Sequence, residues 1–504
     1  MTQYCRRSAL TPSLAWIILA LSVSAQALEI GPSDFQITQQ GPALDSNFRA
    51  SNPGVAYNTQ SNEFLVVWSG SQHPIEPVFE TEIYAQRLDG DSGALLGQPI
   101  RVSQMGPDGP PAFGNKGDGG QPPFLEALDP VIAWNGQQNE FLVVWWGDDT
   151  TPPLVDDKRE VFGRRLGLDG NPVGDQFRIS FMGAQGDTLA EGISPEVIYN
   201  PTQGEYFVTW QGDNINGVFA DQEFEIWGQR ITGGSNALAG GVIRISDMGE
   251  VDGDNSFTAA DSDITLAGGN YLVVWEGDDD GGTAVDGEQE IYGQLIDAST
   301  GTEVGDNDFR ISFRGPVGAT DYDSGNAVVA FNPQSNQFLV AYNGSDDDDG
   351  TVRNDIEVYV QGVTLGGSLI GEGQRISSMG PDGVDTYWGL GPQIAYDSLA
   401  GEFLIVWIGE NDTGALINNE FEVYGKPLTA TGNAVRPRRR LSQMRPDGLS
   451  YAGAGLPRLA RNPTTNQFLM VFSGNDSRDG LAPREREIFG QFLFLDIVSS
   501  TSFE

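Results

Sequence analysis

NYLVVWEGDDDGGTAVDGEQEIYGQ, residues Asn270 to Gln294, joins two apolar runs through a loop dense in acid. NYLVVW has the unbroken β-branched and aromatic character of a strand buried on both faces, and EIYGQ reads as a second strand. From Glu276 to Gln294 the carboxylates are Glu276, Asp278, Asp279, Asp280, Asp286, Glu288 and Glu290. One such loop could be a calcium site, a catalytic cluster or a polar turn. The chain, however, repeats it, and the copies can be compared with one another.

The apolar strand ends in an aromatic at Trp68, Trp145, Trp210, Trp275, Tyr342, Trp407 and Phe472, at intervals of 77, 65, 65, 67, 65 and 65 residues. Self-similarity at a fixed period marks a repeat architecture. Each copy follows another apolar segment and a polar turn, as in VIAWNGQQNE and VVAFNPQSNQ, which reads as a hairpin. Each precedes a segment of the EIYGQRL type and one of the FRISFMG type, giving four short strands per repeat.

Seven units of four strands predict an all-β fold, a seven-bladed β-propeller spanning residues 28–504 as one domain. The chain ends sharpen this. After EIFGQFLFLD the seventh repeat has no fourth strand, whereas DFQITQQG near the N-terminus matches the fourth-strand pattern with no strands before it. The N-terminal strand is expected to complete the last blade and remove an exposed edge. A β-solenoid is the alternative, but it needs no exchange of ends.

Composition agrees with a packed, exported domain. The chain has 504 residues, 39% hydrophobic, with 66 glycines for turns and a net charge of −42. Such a surface repels nucleic acid and anionic lipid and attracts cations, although solubility in a salty medium explains it equally well. Residues 1–27 read as a signal peptide: Arg6 and Arg7, then LAWIILALSVS, then Ala25-Gln26-Ala27. The run is too short to span a bilayer, so a secreted or periplasmic monomer is expected. Cys5 would leave with it, and the mature chain would lack disulfides, thiol nucleophiles and cysteine metal sites.

The set LVVW, EIYGQ and FRIS resembles repeats of secreted bacterial β-propeller proteins, a resemblance that covers residues 28–504. It implies fold and export and carries no catalytic residue. The integrin-type repeat and the Ser-x-Asp-x-Gly-x-Thr-Trp box of the sialidase type are missing.

Some acids recur at fixed offsets. A glutamate lies fifteen residues after the aromatic in six repeats (Glu160, Glu225, Glu290, Glu357, Glu422, Glu487) and fourteen after it in the first (Glu82). Thirteen residues after the aromatic a second acid stands in five repeats: Glu223, Glu288, Asp355, Glu420 and Glu485. Asp or Asn follows the aromatic by four in six repeats, among them Asp279, Asp346 and Asp476. Residues two apart on a strand share a face. Asp279 with Glu288 and Glu290, Asp346 with Asp355 and Glu357, and Asp476 with Glu485 and Glu487 are therefore candidate calcium ligands, because clustered oxygens suit a hard cation. The EF-hand spacing itself fails. The competing reading is a blade latch. Six fourth strands carry Arg101, Arg178, Arg244, Arg310, Arg375 and Arg440, with Gln36 as the seventh, and each glutamate could pair across the hairpin. An arginine stacked on Tyr292 or Tyr359 would serve the same end. Asp278 and Asp280 fall in the variable part and read as solvated.

A ligand site is expected where the loops after the second strand and the loops between blades open around the channel. Tyr322, Tyr387, Trp388 and Tyr451 lie in those loops and are the candidate ligand-binding aromatics, with sealing of a blade interface as the plainer role for Trp388. QMGPDGPPAFGNKGDGGQPPFLEALDP, after the first blade, is an insertion that reads as a lid or an adornment. His73 is the single histidine, so imidazole triads are excluded. No phosphate-binding loop or nucleophile elbow is present. The sequence thus favours a non-enzymatic propeller that binds an extracellular protein or glycan through its acidic loop face, with calcium as the one cofactor considered. The alternative is a carbohydrate-active hydrolase using carboxylates at the channel mouth.

Overall fold

The computed structural model describes residues 28–495, apart from residues 31–33, 42–47, 72–79, 106–124, 150–157, 185–186, 214–221, 250–253, 279–286, 315–319, 321, 346–354, 381–386, 411–419, 445–452 and 476–484. The signal-peptide reading (1–27), residues 106–124 of the insertion, His73, Asp279, Asp280, Asp346, Tyr451 and Asp476 lie outside these residues.

In the repeat around Trp275, strands Ala259–Ala267, Asn270–Asp278, Gln289–Asp297 and Glu303–Arg310 form one antiparallel sheet in chain order. Four sheets have this form. Residues 50–178 form an eight-stranded sheet in which two such sets are joined by a short parallel pairing of Glu80 and Thr81 with Leu125 and Glu126. A five-stranded sheet holds both ends of the chain. Phe35–Gln36 pairs with Glu487–Leu495 as the FRIS-like pattern predicts, and an unforeseen strand, Leu28–Ile30, pairs with the far end of the same partner.

The innermost strands form a circle. Ala50–Asn58 touches Leu125–Asn135, and contact passes through Gly192–Asn200, Ala259–Ala267, Ser324–Asn332, Gly389–Asp397 and Arg458–Asn462 back to Ala50–Asn58. The fold is an all-β propeller of four-stranded blades, and the circle excludes the solenoid. The core lies between blades. Leu339, Val358 and Val360 of one, for example, pack on Phe403, Ile405 and Trp407 of the next.

Two local features explain the regularity. In five repeats the first hairpin turns on a buried Asn whose Oδ1 accepts from the amides two and three residues on, as Asn332 does from Gln334 and Ser335; Asp397 does the same for Leu399 and Ala400, and Ala267 takes the place in the remaining repeat. Opposite each recurring glutamate stands a glycine, as Glu357 faces Gly344 and Glu422 faces Gly409. A Cβ on Gly212 or Gly409 would sit 2.5 Å from Met182 or Met379 of the preceding blade. The glycine is therefore the socket for the neighbouring blade. At the junction of the ends, Gln40 fills the socket of Gly70 and accepts a 2.9 Å bond from Trp68 Nε1, while its amide donates to Glu487.

Candidate functional site

The recurring glutamates are buried, and each is held by its own blade. Glu357 is representative. Its Oε1 accepts from Arg375 Nη2 at 2.8 Å and from the Met379 amide at 2.6 Å, while its Oε2 accepts from the Ser377 hydroxyl. Ser377 Oγ in turn accepts from the Val358 amide at 2.7 Å, and Arg375 Nε donates to the Ser377 carbonyl. Glu82, Glu160, Glu225, Glu290 and Glu422 are held in the same way by Arg101, Arg178, Arg244, Arg310 and Arg440 with the serine two residues further on. In the last blade Thr38 and the Gln40 amide hold Glu487. Burial pushes Glu225 and Glu487 up to about 7; the guanidinium of Arg244 opposes this at Glu225, and the Thr38 hydroxyl does so at Glu487.

The serine and the amide extend the two-residue latch read from sequence into a four-point clasp. Arg314 lies over the Tyr359 ring at 4.1 Å, and Arg310 stacks on Phe313. Arg440, the last residue of RPRRR, belongs to its blade's clasp, and Arg438 Nη1 donates to the Ser378 carbonyl.

The second acids are also buried: Glu223, Glu288, Asp355, Glu420 and Glu485. Arg310 Nη2 donates to Glu288 at 2.6 Å as well as to Glu290. The expectation of a solvated Asp278 is corrected. It is 5% exposed, and its Oδ2 accepts from the Gly287 amide at 2.6 Å, so it ties the start of the loop to its end. Among the described residues no three acids, thiols or imidazoles converge at metal-binding distance.

A cavity of about 530 Å³ opens at the channel mouth, lined by the innermost strands and by Ile408, Phe421, Ser473 and Arg486 from the ends of second and the starts of third strands. Each innermost strand except the last carries a bulge there. Asn52, Asp129, Ser194, Asp261, Asn326 and Gly391 have φ between 47° and 55°, and the ladder shifts register beside them. Proline follows at Pro53, Pro130, Pro195 and Pro392, a residue that strands tolerate at bulges.

Below the bulges, one position pairs with the residue before the aromatic in every repeat. It holds Gly54, Val131, Glu196, Asp263, Val328, Gln393 and Arg458 in turn. Glu196 and Arg458, 262 positions apart, meet across the channel at 3.4 Å. Asp263 accepts from the Val329 amide at 2.7 Å, and Asp129 accepts from Trp146 Nε1 at 2.7 Å and from Asn52. Burial raises Glu196 well above the carboxylate range against the pull of Arg458, with Asp263 and Asp261 adding to the rise; burial raises Asp263 and Asp261 too. Such a pocket can donate and accept hydrogen bonds at fixed points and hold a protonated carboxyl near neutral pH.

Sequence reasoning placed the mouth but missed these residues. The available signal was a channel-facing position whose residue changes from repeat to repeat. Tyr322, Tyr387 and Trp388 are half-buried and do not line the cavity, whose aromatic is Phe421. Tyr387 packs on Gly380 and on the core between two blades.

No family model and no curated protein matches the chain. Among solved structures, an ulvan lyase of polysaccharide lyase family PL25, bound to -[GlcA(1-4)Rha3S]-, aligns with a TM-score of 0.51 at 12% identity over 90% of this chain and 96% of its own. A Fusarium graminearum GH93 α-L-arabinofuranosidase aligns with a TM-score of 0.43 at 12% identity over 73% and 92%. A Penicillium chrysogenum α-L-arabinanase gives 0.41 at 12% over 72% and 92%. The first likeness shows the propeller fold and nothing finer; the other two carry no argument.

Proposed function

We propose that this chain is an exported, non-enzymatic propeller of seven blades that binds a protruding polar group of an extracellular protein or glycan in its channel mouth. The observation that carries the reading is the channel position where the repeats diverge: regular blades surround a pocket whose Glu196, Asp263, Gln393 and Arg458 break the symmetry. Structural pressure alone would repeat one residue type there. The blade count takes the eight-stranded sheet as two blades, in line with the seven aromatics of the repeat. The reading of residues 1–27 as a signal supports export.

Binding of the mature chain to glycan and peptide arrays, with Glu196→Gln and Arg458→Ala beside the wild type, tests this. A hit that both variants weaken at least tenfold supports the mouth as the site. A hit that neither variant changes moves the site elsewhere and removes the reading.

One observation favours the second reading, a carbohydrate-active hydrolase. Burial raises Glu196 well above the usual carboxylate range beside Asp261 and Asp263, the direction a general acid requires. Release of reducing ends from a polysaccharide, lost in Glu196→Gln, would replace the binding role with catalysis.

A further inference from the structure

The two sides of the channel mouth differ in kind. At the level of the bulges the second, third and fourth repeats contribute Asp129, Ser194 and Asp261, whereas across the circle the sixth contributes Gly391 and the seventh Leu456. Leu456 stands two residues before Arg458, as Asp129 stands two before Val131 and Asp261 two before Asp263, so a leucine takes a place that is polar elsewhere in the ring. It is 50% exposed and lines the cavity, and Ile408 and Phe421 of the sixth repeat line it on the same side. An apolar side chain left open inside a pocket points to an apolar surface that covers it.

The facing side is short of positive charge. Asp129, Glu196, Asp261 and Asp263 line the cavity against two guanidiniums, Arg458 and Arg486, both from the last repeat. Arg458 is engaged with Glu196 at 3.4 Å. The other acids hold neutral donors: Trp146 Nε1 and Asn52 at Asp129, the Val329 amide at Asp263, and the Ser194 hydroxyl at Asp261. Enclosure raises Asp261 against the pull of Ser194, and the charge of Asp129 raises it further. Glu276, which accepts from the Asn326 amide at 2.9 Å, is raised by burial and then by Asp261. A cation among these carboxylates would relieve their mutual repulsion.

We propose that the group taken into the mouth is a basic side chain, arginine or lysine, presented by a partner protein. Such a side chain carries an apolar stem and a charged head. The stem lies along Leu456 and Phe421, and the head reaches Asp129 and Asp261. A glycan would meet a single aromatic ring in the described lining, Phe421, and an excess of acid. The inference rests on the mouth as the binding site and narrows its ligand from protein or glycan to protein.

Isothermal titration of the mature protein with acetylated glycine pentapeptides that carry a central arginine, lysine, citrulline or norleucine tests it, with the glycan array alongside. The arginine or the lysine peptide should bind at least tenfold more tightly than its neutral counterpart, and added salt should weaken it. Asp261→Asn should cost the charged peptides at least tenfold in affinity, and Leu456→Ser should weaken them as well. If Asp261→Asn fails to fold, the comparison of charged with neutral peptides on the wild type decides. Equal affinity for charged and neutral peptides, an unchanged affinity in Asp261→Asn, or no binding of a charged peptide at millimolar concentration overturns the proposal. A neutral glycan that Glu196→Gln and Arg458→Ala weaken overturns it too, but leaves the mouth as the site. Charged peptides bound regardless of Asp261, Glu196 and Arg458 remove both readings.

Discussion

At the scale of single residues, the clasp shows how a buried charge becomes a repeated structural part. A carboxylate out of water is costly unless opposed and hydrogen-bonded, and Glu357 has a guanidinium, a hydroxyl and an amide on its two oxygens. Removing the charge leaves Arg375 facing a neutral group. Glu357→Gln is expected to destabilise by roughly 3 kcal/mol, toward the low end for breaking a buried pair because the amide keeps part of the bonding. Ser377→Ala should cost about 1–3 kcal/mol, since the Val358 amide loses the hydroxyl that accepts from it. Urea unfolding measures both, and a loss under about 0.5 kcal/mol in each would make the clasp incidental. The glutamate and arginine were legible in sequence because their offsets hardly vary. The serine was equally visible in FRIS but went unread, because a lone Ser two residues past an Arg carries no signal until the hairpin places it under the carboxylate.

At the scale of elements, the spacing between blades is set by glycine sockets. Each glycine pairs with the clasp glutamate and receives a residue of the preceding blade, a methionine at five of the seven, Gln40 at Gly70 and Arg314 at Gly344, so any side chain there meets packed atoms. The obstacle differs from blade to blade. At Gly147 a Cβ would lie 2.3 Å from the Glu126 carbonyl oxygen, which is main chain; at Gly409 the nearest atom is Met379 Cε, the end of a flexible side chain. Gly147→Ala should therefore destabilise by about 2–3 kcal/mol and Gly409→Ala by about 1 kcal/mol, and Met379→Ala should relieve only the second. Denaturation of the three variants and the Gly409/Met379 pair checks this, and equal losses at both glycines would contradict the socket account. Strand number and order were readable from the apolar repeat. The bulges were not read, although Asn52-Pro53, Asp129-Pro130, Ser194-Pro195 and Gly391-Pro392 mark them, since proline in a strand signals a break in its ladder.

At the scale of the molecule, charge governs stability. Asp308 is raised to about 7 chiefly by burial, and Glu196, Asp261 and Asp263 are raised in the channel by the same cause. An unfolded carboxyl titrates near 4. Between that value and the folded one the native state holds more protons, so these groups stabilise the fold at low pH and that contribution is lost as pH rises through about 7. With a net charge of −42 adding self-repulsion, the melting temperature should be higher at pH 5.5 than at pH 8.5, and added salt should narrow the gap. Calorimetry at the two pH values decides, and a higher melting temperature at pH 8.5 would refute it.

The sequence by itself determined the repeat, its four-strand pattern and the sharing of one sheet by the two ends of the chain, and it offered the pairing of recurring glutamate with arginine as one of two readings. All of these rest on local period and fixed offset, which a chain displays without folding. Only the tertiary structure decided that Asp278 is buried, that Tyr387 belongs between blades, and that Glu196 meets Arg458 across the channel. Those facts depend on closing the circle. Closure brings one residue from each repeat to a common axis, and no spacing along the chain records which of them then face one another.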